Sequence, residues 1–258
     1  MKAILVAGGE GSRLLPFTRY THKTLLPLFE RPVIDYALGT IRRAGIQDIT
    51  IIGNRFIGQI AKHVGTGLKD ENIHYVIEEE PRGIGHALNL ARPHVEGARL
   101  LIYFSDNITS TELVDEVKQW KESNEAPGAF LLGRNVEAPH AFGVGKFDEG
   151  GNLVDIVEKP AMPPSNVAIG GIYLFDENFW ELLDEEMAKV GSDFSITDVN
   201  KRYLQMDKIT LKNLDEDIWL DCGTPDNLLE AAKYAREGVL NPMPCNYKKG
   251  DSRIGWAE

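Results

Sequence analysis

The sequence predicts an α/β fold in which a mostly parallel mixed sheet is flanked by helices and carries an appended β-hairpin. Three observations lead there. Short β-branched runs at residues 3–7, 48–53, 73–77 and 100–104 alternate with helical patterns as far as about Lys121, the βαβ rhythm of parallel strands with helical crossovers. After Pro127 the texture changes to short strands joined by Gly and Asn, which reads as a hairpin added to that sheet. The chain of 258 residues, 43% hydrophobic and 26% charged, has the composition of a globular protein rather than of a disordered or fibrous one. Such an order of elements is Rossmann-like.

The first clear helix opens at Pro32, whose fixed φ suits a first helical turn, and stops at Gly45. It carries Ile34, Ala37, Leu38 and Ile41 on one face, a core stripe with no hint of a cofactor. In the second half, strands are expected at 129–133, 143–147 and 153–158, the last two joined by the turn Asp148-Glu149-Gly150-Gly151-Asn152. A further strand at 167–175 precedes helices near 177–189 and 196–204, and residues 209–214 and 218–221 read as a strand pair. The last helix has Thr224 as N-cap and Pro225 at its first position, and ends at Gly238. With no internal repeat or linker in view, residues 1–238 are expected to form a single domain of two halves, 1–126 and 127–238. Residues 239–258 form a tail with no readable role.

Lys and Arg number 28 against 39 Asp and Glu, a net charge of −11 that would repel a polyphosphate backbone, so nucleic acid is not an expected partner. The longest apolar runs fall far short of the roughly 20 residues that span a bilayer, and the start lacks the apolar region of a signal peptide. No membrane partner and a cytoplasmic location are therefore expected. Cys222 and Cys245 are too far apart for a zinc knuckle and too few for a disulfide framework, which leaves buried or idle thiols.

The most informative stretch is Ala7-Gly8-Gly9-Glu10-Gly11-Ser12-Arg13-Leu14-Leu15-Pro16, directly after the first strand. Gly8, Gly9 and Gly11 let backbone N–H groups crowd around an anion, and Arg13 adds a forked cation suited to phosphate oxygens. A dinucleotide fingerprint would need glycine where Leu14 stands, and a P-loop would need Gly-Lys-Ser/Thr, so both are excluded. The plainer alternative is a glycine turn beside a solvated arginine. Lys23, in His22-Lys23-Thr24-Leu25-Leu26-Pro27-Leu28, lies on a segment too proline-punctuated for a helix and too apolar for a plain loop. It reads as a phosphate ligand or as an ordinary surface lysine. Asp106 closes the run Leu100-Leu101-Ile102-Tyr103-Phe104-Ser105, and Asp221 ends a short strand before Gly223. Open α/β sheets bind ligands at such carboxyl ends. Each aspartate is a candidate Mg²⁺ ligand or a helix cap, since Thr109 and Thr224 follow closely.

Gly8-Gly9-Glu10-Gly11-Ser12-Arg13-Leu14 followed by Lys23 before Leu25-Leu26-Pro27 resembles the signature of sugar-1-phosphate nucleotidyltransferases. The likeness is strongest to short-type glucose-1-phosphate thymidylyltransferases. It continues through Ser105-Asp106-Asn107, Glu158-Lys159-Pro160, Gly171-Ile172-Tyr173, Ile196-Thr197-Asp198-Val199-Asn200 and Trp219-Leu220-Asp221-Cys222-Gly223-Thr224. The resemblance implies an enzyme that makes a nucleoside diphosphate sugar and pyrophosphate from a nucleoside triphosphate and a sugar 1-phosphate, with Mg²⁺ as cofactor. The first half would hold the nucleotide through Gly8, Gly9, Gly11, Ser12, Arg13, Glu78 and Gly83. The hairpin half would hold the sugar phosphate through Gly143, Glu158, Lys159, Ile169 and Tyr173, with Asn107. Arg13 and Lys23 would be catalytic, and Asp106 and Asp221 would hold the metal. Homo-oligomers are common in the family, although no residue marks an interface.

Four departures bear on specificity. Phe142 replaces a tyrosine and Gly170 a threonine, each losing a hydroxyl, and Ser105 replaces a glycine, adding bulk beside the nucleotide. Glu78 stands where thymidylyltransferases carry glutamine, and Glu78-Glu79-Glu80-Pro81-Arg82-Gly83 resembles the segment of mannose-1-phosphate guanylyltransferases. Three alternatives stand beside the main reading: a guanylyltransferase using GTP and a different sugar 1-phosphate, a catalytically silent regulatory homologue, and a nicotinamide oxidoreductase, the last disfavoured by the broken fingerprint.

Overall fold

The computed structural model describes residues 1–122, 128–214 and 216–242; Cys245 and most of the 239–258 tail lie outside them. The first half contains β1 (Lys2–Ala7), the two-residue strands β2 (Pro27–Leu28) and β3 (Arg31–Pro32), α1 (Val33–Arg43) and β4 (Asp48–Gly53). It continues with α2 (Ile57–Val64), β5 (Asn72–Ile77), α3 (Ile84–Val95), β6 (Leu100–Phe104), β7 (Asn107–Thr109) and α4 (Val114–Glu122). The second half holds β8 (Ala129–Asn135), β9 (Gly143–Phe147), β10 (Leu153–Glu158), β11 (Val167–Phe175), α5 (Phe179–Val190), α6 (Ile196–Gln205), β12 (Ile209–Asn213), β13 (Trp219–Asp221) and α7 (Pro225–Arg236).

Among the described residues nine strands form one mixed sheet. Its parallel part runs β6-β1-β4-β5. β11 is antiparallel to β6 and is met on its far side by β8 and β9, with β10 beyond β9 and β12 parallel to β8. The predicted α/β architecture and the 143–147/153–158 hairpin are both present. Successive side chains of β1 go to opposite faces. Ala3, Leu5 and Ala7 pack with Ile34, Leu38 and Ile41 of α1 and Ile60 of α2, while Ile4 joins Leu88 and Ala91 of α3 and Phe179 of α5. Helices therefore cover both faces, which is why β1 reads as an unbroken apolar run. A smaller cluster seats α7 on Leu28, Val33, Tyr36 and Ile108.

Two expectations are corrected. Pro32 is not inside the first helix: it has extended ψ of 155° and pairs with Pro27, so α1 begins at Val33. Its end is as expected, since Gly45 adopts φ 71° and donates to the Arg42 carbonyl. Residues 209–214 and 218–221 do not pair with each other. β12 completes the main sheet beside β8, whereas β13 crosses to pair antiparallel with β7, a strand too short for its periodicity to be read. That second pairing builds the site.

Leu38 is fully buried between α1 and the sheet. Leu38→Ala should lower unfolding free energy in urea by about 3 kcal/mol, the usual cost of such a cavity.

Candidate active site

The carboxyl end of β1 stops at Ala7, paired with Gly53 of β4, and the glycine loop turns over that edge. Each glycine has a distinct reason for its missing side chain. A Cβ on Gly8 would stand 2.9 Å from Glu78 Oε2, one on Gly9 2.8 Å from Lys23 Nζ, and one on Gly11, at φ 67°, 2.8 Å from Thr18 Cγ2. The loop thus brings Glu78 and Lys23 to opposite members of one glycine pair. Ser12 and Arg13 follow in a single 3₁₀ turn whose last residue, Leu14, is buried and anchors it.

The Lys23 arm is held by its neighbours. The Gln59 side chain of α2 accepts from His22 N at 3.2 Å and donates to the Tyr20 carbonyl at 2.8 Å. His22 Nδ1 accepts from Thr24 N and meets Thr24 Oγ1 at 2.8 Å. Burial, and then the Lys23 charge beside it, push the His22 pKa down to about 4, so its imidazole is neutral near pH 7. Lys23 Nζ makes an ion pair and hydrogen bond with Asp106 Oδ2, both side chains being mostly buried.

Asp106 leaves β6 into β7, and the β7–β13 ladder sets Asp221 opposite Asn107. Cys222 N donates to the Asp106 carbonyl at 2.8 Å, tying the two aspartate segments together. Asp221 Oδ1 accepts from Gly223 N, and Thr224, not Asp221, caps α7 by accepting from Asn227 N. Neither aspartate serves as a helix cap. Burial pushes Asp106 up, but the Lys23 ammonium and hydrogen bonds from Lys23 and Asn107 outweigh it and hold the carboxyl below the usual carboxylate value. Burial and the Asp106 charge hold Asp221 above that value, against the pull of Lys23, Gly223 N–H and Arg13. One carboxylate that raises another marks a place that favours a cation. Among the described residues no three His, Cys, Asp or Glu side chains gather to hold a metal. Two carboxylates are a donor set that suits Mg²⁺ rather than zinc.

A cavity of about 360 Å³ opens beside this pair and is lined by Arg13, Asn107, Gly143, Glu158, Lys159 and Asp221, among others. Ile169 and Tyr173 of β11 also line it. The hairpin register sets Gly143 opposite Glu158, and Lys159 N donates to the Phe142 carbonyl at 2.9 Å. Glu158 Oε2 accepts from Thr197 Oγ1 at 2.6 Å, and Glu158 Oε1 lies 3.4 Å from Lys159 Nζ. Gly143 underlies that pair: a Cβ there would be 3.1 Å from Thr197 Oγ1. Glu78 stands on the Gly8 side of the loop, where its Oε1 accepts from Arg82 N at 3.4 Å. Gly83, at φ 93°, is the N-cap of α3.

Asn107 lines the cavity, yet its amide is largely committed. Its Oδ1 accepts from Gly171 N at 2.9 Å and Trp219 Nε1 at 2.8 Å, and its Nδ2 donates to Asp106 Oδ1 at 3.1 Å. From the cavity wall it braces Asp106. Ser105 is fully buried, so its hydroxyl does not face open space. Trp219, Thr197 and Gly223 belong to the site although only their motifs stood out in the sequence. A Cβ on Gly223 would stand 2.6 Å from Arg13 Nη2, so this glycine is the floor beneath the guanidinium.

Two of the departures share one cause. The Trp219 indole meets the Phe142 ring edge-on at 5.3 Å, and a Cβ on Gly170 would lie 2.9 Å from Trp219 Nε1. Gly170→Thr should push the indole off Asn107 and lower the thermal midpoint by several degrees, as read by scanning calorimetry.

A family model, Nucleotidyl transferase, matches residues 2–238. A glucose-1-phosphate thymidylyltransferase of Xanthomonas campestris is 34% identical over 236 residues, 90% of this chain and 80% of the relative. The low-salt glycan biosynthesis nucleotidyltransferase Agl11 of Haloferax volcanii is 31% identical over 92% of this chain, which spans 66% of that relative's length. A solved Bacillus anthracis structure, assigned as a glucose-1-phosphate thymidylyltransferase and complexed with sucrose, superposes with a TM-score of 0.85 at 33% identity, covering 92% of this chain and 96% of the other. With the glycine loop, the paired aspartates and the hairpin cavity in place, the chain belongs to the nucleotidyl transferase family, among the sugar-1-phosphate nucleotidyltransferases.

Proposed function

We propose that the chain joins a nucleoside triphosphate to a sugar 1-phosphate, with dTTP and glucose 1-phosphate as the substrate pair and pyrophosphate as the second product. The observation that carries this reading is the convergence of Arg13, Lys159 and Asp221 on one cavity, beside the Lys23–Asp106 pair. The relatives named as glucose-1-phosphate thymidylyltransferases support the choice of substrates. Release of pyrophosphate from dTTP, glucose 1-phosphate and Mg²⁺ tests it; no release across a matrix of triphosphates and sugar 1-phosphates would overturn it in favour of a silent homologue.

In this mechanism an oxygen of the sugar 1-phosphate attacks the α-phosphorus in line, and the bond from that phosphorus to the bridging oxygen of pyrophosphate breaks. No protein nucleophile is needed, because positioning and charge neutralisation supply the catalysis of such transfers. The backbone of Gly8, Gly9, Gly11 and Ser12 cradles the triphosphate, Arg13 holds the departing pyrophosphate, and Lys23 bridges toward it. Lys159 holds the sugar phosphate, while Glu158, oriented by Thr197, and Gly143 face the hydroxyls. Asp106 and Asp221 would hold Mg²⁺, which supplies charge neutralisation at the phosphates. The protein is proposed to act in the cytoplasm; among the described residues no helix is long and apolar enough to cross a membrane.

A second reading of the base rests on Glu78, which is buried at 5% exposure against Gly8. An ionised carboxylate only accepts, which suits the N1–H and N2–H₂ of guanine better than the O4 of thymine. On this reading GTP competes with dTTP.

Asp106→Asn and Asp221→Asn should each abolish most turnover, with partial rescue by raised Mg²⁺ or by Mn²⁺. Asp106→Asn should also cost about 3 kcal/mol of stability in urea by stranding the Lys23 charge, a loss that Asp221→Asn should not share. Arg13→Ala should lower kcat more than it raises the triphosphate KM, because charge on pyrophosphate grows in the transition state, whereas Lys159→Ala should act on the sugar phosphate KM. Equal small effects on both substrates would contradict that division. Glu78→Gln should shift kcat/KM toward dTTP and UTP relative to GTP by about tenfold or more, and an unchanged ranking would remove Glu78 from base reading.

A further inference from the structure

The end of β4 holds a buried polar side chain that the reaction above does not use. Asn54 follows Gly53, is 3% exposed, and directs its amide at the glycine loop. Its Nδ2 donates to the Gly8 carbonyl at 3.2 Å and to the Gly9 carbonyl at 3.3 Å, while its Oδ1 accepts from Phe56 N at 3.0 Å. Every side-chain hydrogen bond it makes among the described residues goes to backbone. In a trans peptide the C=O and the following N–H point in opposite directions. Pinning the Gly8 and Gly9 carbonyls to Asn54 therefore turns the N–H groups of Gly9 and Glu10 away from β4. Neither N–H has a backbone acceptor among the described residues. The Lys23 ammonium stands against Gly9.

We propose that Asn54 is a positioning residue for the phosphate loop: it holds the two glycine carbonyls back so that their partner N–H groups are presented to the triphosphate. Without it the flexible glycines would be free to turn a carbonyl oxygen toward the phosphates, which repels them. The inference rests on the reading of the loop as the triphosphate site. Asn54 touches no reacting atom and acts only through the loop.

The test is calorimetric binding of dTTP, GTP and inorganic pyrophosphate, each with Mg²⁺, to wild type, Asn54→Ala and Asn54→Asp. The aspartate variant keeps the acceptor for Phe56 N and the side-chain volume, and so reports on the loop even where the alanine variant does not fold. Glucose 1-phosphate binding and the thermal midpoint are measured alongside. Both variants should bind the triphosphates and pyrophosphate about tenfold or more weakly, with glucose 1-phosphate binding changed less than twofold. Folded variants with unchanged triphosphate affinity, or with equal weakening of both substrate classes, would overturn the clamp while leaving the site reading intact. Failure of wild type itself to bind any of the three phosphate probes would overturn the site reading, and the clamp with it.

Discussion

The ion pair between Lys23 and Asp106 is the interaction around which the rest of the site is arranged. Two mostly buried charges are tolerated only when they meet, and the attraction repays their desolvation only with good geometry. Each nearby feature can be read as supplying that geometry. Gly9 has no side chain because the ammonium needs its space, and Gln59 grips the arm on both sides of Thr21. His22 stays neutral next to the ammonium and so does not compete for the carboxylate. On the other side, Asn107 fixes the second oxygen of Asp106.

A second constraint is topological. The two aspartates lie 115 positions apart in sequence, and only the crossing of β13 to β7 makes them neighbours. The same ladder delivers Trp219 to the cavity wall, where its indole N–H finds Asn107. Phe142 and Gly170 then follow as the ring that packs on the indole and the residue that leaves room for it. Two departures that look independent along the chain become one local solution in space.

The parallel half of the sheet was legible because a strand covered on both faces must be apolar throughout, as in residues 100–104, and because Gly45 and Thr224 are terminal signals with a local mechanism. Boundaries set by tertiary pairing were not legible. Pro32 looks like a helical first residue, but its pairing with Pro27 holds it extended. β12 and β13 are both strands, yet nothing in five or three residues says which partner each will find. In the site, residues with a chemical signature stood out: Arg13, Lys23, Asp106, Asp221 and Lys159. Those that act by fixing backbone did not, since Asn54 and Gln59 carry no pattern until the loop and the Lys23 arm lie against them.

Phe142, Trp219, Asn107 and Asp106 form an unbroken line of contact from the cavity wall to the acidic centre. Such a line constrains how the protein can diverge. An edit at Trp219 is felt by the amide that steadies Asp106, so a change made there disturbs the acidic centre along with the cavity wall. Phe142 lies one contact further out, joined to the line only by ring packing. It is the position at which the cavity wall can be reshaped while Asp106 keeps its brace.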